Sequence, residues 1–106
     1  MAKSLEEKRL ELHQKLLDLV GHAYFQPPES VRMVYPAAVY NLTRVRPAAA
    51  DDTKYLKFPG YLITIIDRDT DVDWISKMFD TFEYCYFERP YVADNLNHYS
   101  FIVYYL

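Results

Sequence analysis

The chain has 106 residues, 51 % hydrophobic and 25 % charged, which suits one folded domain with a single core and is too little for two. A formal charge of −3 argues against a module that holds nucleic acid by neutralising phosphates, and one cysteine excludes an internal disulfide framework. No apolar run approaches the roughly 20 residues that span a bilayer, and Met1-Ala-Lys-Ser-Leu-Glu-Glu is charged where a signal peptide is apolar, so the expectation is a protein made and used in water, in a reducing compartment. Eleven Tyr and six Phe are many for this length. Tyr offers apolar area with a polar tip and suits interfaces, so the surplus points to self-association or a protein partner; the alternative is a monomer whose Tyr hydroxyls reach water.

Ser4 with Glu7 three residues on is a capping-box pattern, followed by Leu5, Leu12, Leu16 and Leu19 or Val20 at helical spacing. The first helix is therefore expected over 5–20, ended by Gly21. His13 falls outside the densest part of the stripe and reads as a solvated side chain. His22 to Val31, with paired prolines, is a connector that can add a short edge pairing around Tyr24. Val34 to Leu42 reads as a strand whose beginning Pro36 confines to an edge or a strand-start position. Arg44 to Lys57 is polar and alanine-rich, the end of a hairpin and an arm of the fold, and Pro59-Gly60 bends or bulges its returning strand. Tyr61 to Asp67 is apolar on both faces, as a central strand is. After Asp67, Asp69, Asp71 and Asp73, a second helix carries Val72, Ile75, Met78 or Phe79, and Phe82. Tyr84 to Arg89 and His98 to Leu106 are the third and fourth strands, joined through the turn formers Asp94, Asn95 and Asn97. The fold class is α+β, a single domain over 1–106: a mostly antiparallel four-stranded sheet with two helices on one face, in the order α-β-β-α-β-β.

The residues that imitate a chemical site each have a simpler role. The aspartates at 67, 69, 71 and 73 resemble the opening of a calcium loop, but Val72 stands where that loop needs glycine and Met78 where it needs its closing carboxylate. A helix N-terminus already accounts for acidic residues there. Cys85, His98 and Asp94 contain the groups of a nucleophile, base and orienter, yet no spacing demands that arrangement, and a thiol inside an aromatic strand acts as a small buried hydrophobe. Asp94-Asn-Leu-Asn-His98 satisfies its own turn. Arg44 and Arg46 can touch phosphate or a partner carboxylate, or simply solvate a strand end. With two glycines, Gly21 and Gly60, the chain has no phosphate loop. The reading is no catalytic residue, no cofactor and no metal.

Tyr24-Phe-Gln-Pro-Pro-Glu, Tyr35-Pro-Ala-Ala-Val-Tyr, Tyr61-Leu-Ile-Thr-Ile-Ile-Asp-Arg-Asp-Thr-Asp and Ala93-Asp-Asn-Leu-Asn-His-Tyr, in that order, resemble the tail terminator (tail completion) family of long-tailed bacteriophages. The resemblance covers most of the chain from Tyr24 onward. It implies a structural virion protein at the head-to-tail junction, assembled in the bacterial cytoplasm. It implies a homo-oligomeric ring, hexameric by that likeness, which stops tail-tube growth and joins the tail tube protein to the head-completion and connector proteins, with DNA passing the lumen without specific binding. Ring closure needs a heterologous interface, for which the strand edges, the 44–57 hairpin and the rings from Tyr84 to Phe87 are candidates. Asp51, Asp52 and the Asp67 to Asp73 run are candidates for an acidic lumen. The readings from other classes are another neck or minor capsid protein, a small enzyme or ligand-binding module at Cys85, His98 or the aspartates, and an antitoxin-like or regulatory partner.

Overall fold

The computed structural model describes residues 4–49 and 55–105. Helix α1 (Leu5–Val20) opens as its capping pattern predicts: the Ser4 side chain accepts the Glu7 N–H at 3.1 Å and its hydroxyl donates to the Glu7 carboxylate at 3.2 Å. Gly21 ends it with φ 102°, a conformation that costs a residue with a Cβ, and its N–H closes on the Leu17 carbonyl at 2.9 Å. Leu12, Leu16 and Val20, each one turn on from the last, form the buried stripe.

Six further elements follow: β1 (Ala23–Phe25), β2 (Ala37–Ala49), β3 (Tyr55–Asp67), helix α2 (Trp74–Thr81), β4 (Cys85–Ala93) and β5 (Leu96–Tyr104). The sheet has five strands in the order β1-β2-β3-β5-β4, one more than expected, and it is mixed: β1 runs parallel to β2 while every other pair is antiparallel. The added strand is the connector around Tyr24. Ala38 N–H reaches the His22 carbonyl and Gln26 N–H the Tyr40 carbonyl, both at 2.9 Å, and Pro27 and Pro28 then end the pairing because they have no N–H to give.

Residues pointing to one side of the sheet, Ala38, Tyr40, Tyr61, Ile63, Ile65, Phe101 and Val103, join Leu12, Leu16 and Val20 of α1 and Trp74, Met78 and Phe82 around α2 in a single buried cluster. Both helices therefore cover the same face. The second helix lays Met78 and Phe82 on the core as expected, and adds Trp74 to them. Trp74 and Met78 are buried, Val72 and Ile75 lie at the margin, and Phe79 is 47 % exposed, touching Phe101 only edge-on. Trp74 was not expected in the stripe; it enters because its indole N–H donates to the buried Asp67 carboxylate at 2.9 Å.

Three connections differ from expectation. The stretch from Pro90 to Asn97 is not a loop: β4 runs through Pro90, tolerated because β4 is an edge, and β5 starts at Leu96. Only Asp94 and Asn95 turn, with φ 53° and 61°, as a tight two-residue hairpin requires. The bulge near Gly60 lies on the partner strand, where the register slips between Leu42 and Arg44 and the Thr43 hydroxyl donates to the Gly60 carbonyl at 2.9 Å. Within 44–57, β2 and β3 continue as paired strands as far as Ala49 and Tyr55.

His13 is not a solvated side chain. Its Nδ1 lies 2.6 Å from the hydroxyl of buried Tyr40, and the charge of Arg9, set over the Phe25 ring at 4.5 Å, bears on the same hydroxyl. Burial first, and then the Arg9 charge, hold the His13 pKa below its ordinary 6.5. A proton is thus bound more weakly by the folded protein than by the unfolded chain, so stability falls as pH drops below about 6.5 and the loss levels off below the folded pKa. Thermal unfolding from pH 7.5 to 5.5 should lower the wild-type melting temperature more than that of His13→Gln; equal slopes would contradict the coupling. Trp74→Phe keeps most of the ring but deprives a buried carboxylate of a donor, and should cost about 2 kcal/mol in urea unfolding.

Candidate interaction surface

The cross-strand register defines the sheet face away from the helices. Ala37, Ile66, His98 and Tyr91 form one row, Val39, Thr64, Ser100 and Arg89 the next, then Asn41, Leu62, Ile102 and Tyr86, and last Arg44, Gly60 and Tyr104. None of these belongs to the helix-covered cluster. An antiparallel sheet commonly turns a polar face to water. Here the face is mixed: Ile66 is buried, Val39, Leu62 and Ile102 are partly exposed, and Tyr86 is 58 % exposed.

Rings border this face. Tyr86 meets Tyr104 edge-on at 6.3 Å, and Arg44 donates to the Tyr104 hydroxyl at 3.3 Å. Gly60 lies between them because a Cβ there would come within 2.9 Å of both the Arg44 and the Tyr104 side chains. At the far corner Tyr91 stacks on His98 with centroids 4.6 Å apart, and Arg89 sits 5.3 Å from the Tyr91 centroid. In the middle the Thr64 and Ser100 hydroxyls share a hydrogen bond at 3.3 Å. Sequence reading named Tyr84 to Phe87 but missed Tyr91, Tyr104 and the aliphatic row. Alternation within the strands carried that signal, since Leu62 and Ile102 have the parity opposite to Ile63 and Phe101.

The second feature is the β2–β3 hairpin. β5 pairs with β3 only from Asp67 back to Gly60, and β1 pairs with β2 only from Ala38 to Tyr40. From Arg44 to Ala49 and from Tyr55 to Pro59 the two strands pair with each other and with no further strand among the described residues. At about 3.3 Å per residue this arm extends about 17 Å past the end of β5. The molecule is correspondingly long, 51 × 28 × 21 Å.

The structure separates the residues that imitated an enzyme. Cys85 pairs with Val103 and packs against the helix-covered core, whereas His98 lies on the other face and Asp94 in the β4–β5 turn. Burial pushes the Cys85 thiol up to about 11. His98 Nδ1 is engaged by the Leu96 carbonyl at 2.9 Å. The four aspartates also diverge in role. Asp67 is buried and accepts from Trp74 and from the Asp69 N–H, Asp73 caps α2 by accepting from Ser76 N–H and hydroxyl, and Asp69 and Asp71 are exposed. Asp67 therefore faces into the fold and cannot line a lumen. Asp51 and Asp52 lie outside the described residues, as does the Arg46 side chain. Among the described residues no group of three His, Cys, Asp or Glu could hold a metal, and no helix is long and apolar enough to cross a membrane.

Neither protein-family models nor curated proteins match the chain.

A thiol titrating near 11 leaves little thiolate at pH 7.5, and the thiolate is the reactive form. Cys85 in the native protein should react with a maleimide at least about 100-fold more slowly than in the urea-unfolded chain. Equal rates would restore it as a candidate nucleophile.

Proposed function

We propose that this chain is a structural subunit that closes into a ring, at the head-to-tail junction of a tailed bacteriophage. The observation that supports assembly is the β2–β3 arm. A two-stranded ribbon is marginal on its own in water, and this one projects beyond the sheet without a third strand among the described residues. Contact with a neighbour supplies the missing burial. A projecting arm on one side and an aromatic-edged face on the other are different patches, as a heterologous interface needs.

The phage setting rests on the resemblance of the Tyr24, Tyr35, Tyr61 and Ala93 segments to tail terminators. In that setting the ring, hexameric by the same likeness, ends tail-tube growth and meets the tube on one side and the head-completion proteins on the other. The role is mechanical and needs no cofactor or catalysis. Asp69 and Asp71, both exposed, are candidates for the carboxylates that keep DNA sliding past without specific binding.

Replacing residues 47–57 by a two-residue turn joins Arg46 directly to its register partner Phe58, removes the outer part of the arm and spares both helices and all core residues. The shortened protein should keep its circular dichroism spectrum and cooperative unfolding while light scattering reports a monomer in place of a ring. In an infected host it should leave heads and tails unjoined, or tails of uncontrolled length. Rings and infectious particles from the shortened protein would refute the arm's role; an intact protein that stays monomeric and is absent from particles would refute the ring.

A further inference from the structure

We infer that the β2–β3 arm leaves the sheet on a hinge at Thr43 and Pro59-Gly60, and that a side-chain latch between Arg44 and Tyr104 sets its angle. The inference rests on the ring reading only for what that angle does; hinge and latch are properties of a single copy.

The backbone ladder is thinnest where the arm begins. On β2 the register slips between Leu42 and Arg44, which leaves Thr43 without a strand partner. Opposite, Pro59 has no N–H to give to either neighbour and Gly60 carries no Cβ to pack. Gly60 is also the last residue of β3 in register with β2 on one side and β5 on the other. An unpaired residue, a missing donor and a missing side chain thus fall on one line across the two strands. Two-stranded ribbons take up larger twists than wide sheets, and a bulge adds to them, so the arm turns at this line before the sheet turns anywhere inside.

Three contacts reach across that line. The Thr43 hydroxyl donates to the Gly60 carbonyl at 2.9 Å, and the Tyr105 N–H donates to the Pro59 carbonyl at 3.1 Å. Both end on backbone at the hinge itself, where a change of angle moves them least. The third has leverage: Arg44, the first paired residue of the arm, donates through Nη1 to the Tyr104 hydroxyl at 3.3 Å. Tyr104 is the last residue of β5, and Tyr86 of β4 meets its ring edge-on at 6.3 Å. The bond therefore ties the arm to two strands of the body. The pair is seated tightly over the hinge, since a Cβ at Gly60 would come within 2.9 Å of both side chains. One hydrogen bond between exposed groups contributes modestly, enough to bias an angle and little enough to release.

The angle matters because a heterologous contact closes into a ring only at the right rotation, and otherwise grows an open chain. At about 3.3 Å per residue the arm is about 17 Å long, so a swing of about 20° at its base carries its far end about 6 Å. That exceeds the ~4 Å within which apolar side chains touch. A latch at the base lets every copy present its arm at the same angle.

The angle can be measured within one copy. In a Cys85→Ser background, spin labels at Ala49→Cys, the end of β2, and at Asp80→Cys, exposed on α2, report the distance from arm to body by double electron–electron resonance, with labelled protein diluted into unlabelled. The parent should give one narrow distance distribution. Tyr104→Phe, which removes only the hydroxyl, and Arg44→Met, which keeps the length of the stem, should each broaden it at least twofold while unfolding as cooperatively as the parent. In electron micrographs the same variants should show open chains at least tenfold more often than the parent does. A distribution unchanged in both variants, or already broad in the parent, would refute the latch and leave the ring standing. Broadening with rings that close as before would uphold the latch and refute its part in closure. An unmodified protein that stays monomeric would refute the ring, and the distances would still decide the latch.

Discussion

The buried carboxylate of Asp67 governs how the two halves of the chain meet. It closes the most apolar strand, and a charge taken out of water must be given donors. Two are supplied within seven residues, the Asp69 N–H at 3.1 Å and the Trp74 indole at 2.9 Å. Once Trp74 is committed to reach back to the strand end, the start of α2 is set, and Asp73 beside it becomes the cap. Met78 and Phe82 then fall one and two turns further along, onto the same core. A run of four similar residues therefore does three different things, decided by which of them the strand carries inside.

Strand length has an equally plain consequence at the other end. β2 and β3 are 13 residues each, while β5 has 9 and β1 has 3. Their shared register starts at the Asp67 end, so the excess of the long pair emerges together beyond Gly60. The bulge at Thr43 lies at this exit, where one extra residue on β2 increases local twist, and Gly60 opposite gives the space that the Arg44 and Tyr104 side chains occupy. The arm is thus a direct outcome of unequal strands, and the ring contact between Arg44, Tyr104 and Tyr86 is its base.

Local signals in the sequence were legible where one residue decides the backbone. Ser4, Glu7 and Gly21 marked both ends of α1, and Tyr61 to Asp67 proved central, third in the sheet. What was not legible depended on partners distant in sequence. Parallel pairing of β1 needs β2, which follows only after the proline passage. His13 looked outside the stripe because helical periodicity does not register a hydroxyl 27 residues away. Pro90 suggested a break, but an edge strand has a side on which no N–H is needed. The face opposite the helices went unnamed because Leu62 and Ile102 look like core residues in any single strand, and only the register reveals that no helix stands over them.

The aromatic surplus divides along the same line. Tyr40, Tyr61 and Phe101 are inside, and the buried Tyr hydroxyl that most needs partners, that of Tyr40, draws two polar residues of α1 toward the core, His13 and Arg9. Tyr105 does likewise at the end of the chain, donating to Glu11 at 3.0 Å with Lys15 over its ring. These rings tie α1 to the sheet and account for themselves within one copy. Tyr84, Tyr86 and Tyr91 are different: each is at least 38 % exposed, all three belong to β4 or the residue before it, and β4 is an edge. Edge strands are usually protected by charge, proline or a bulge, and β4 has Arg89, Pro90 and the slip between Phe87 and Arg89 to stop another strand adding to it. With backbone pairing blunted there, what β4 presents outward is its exposed rings and not free strand backbone.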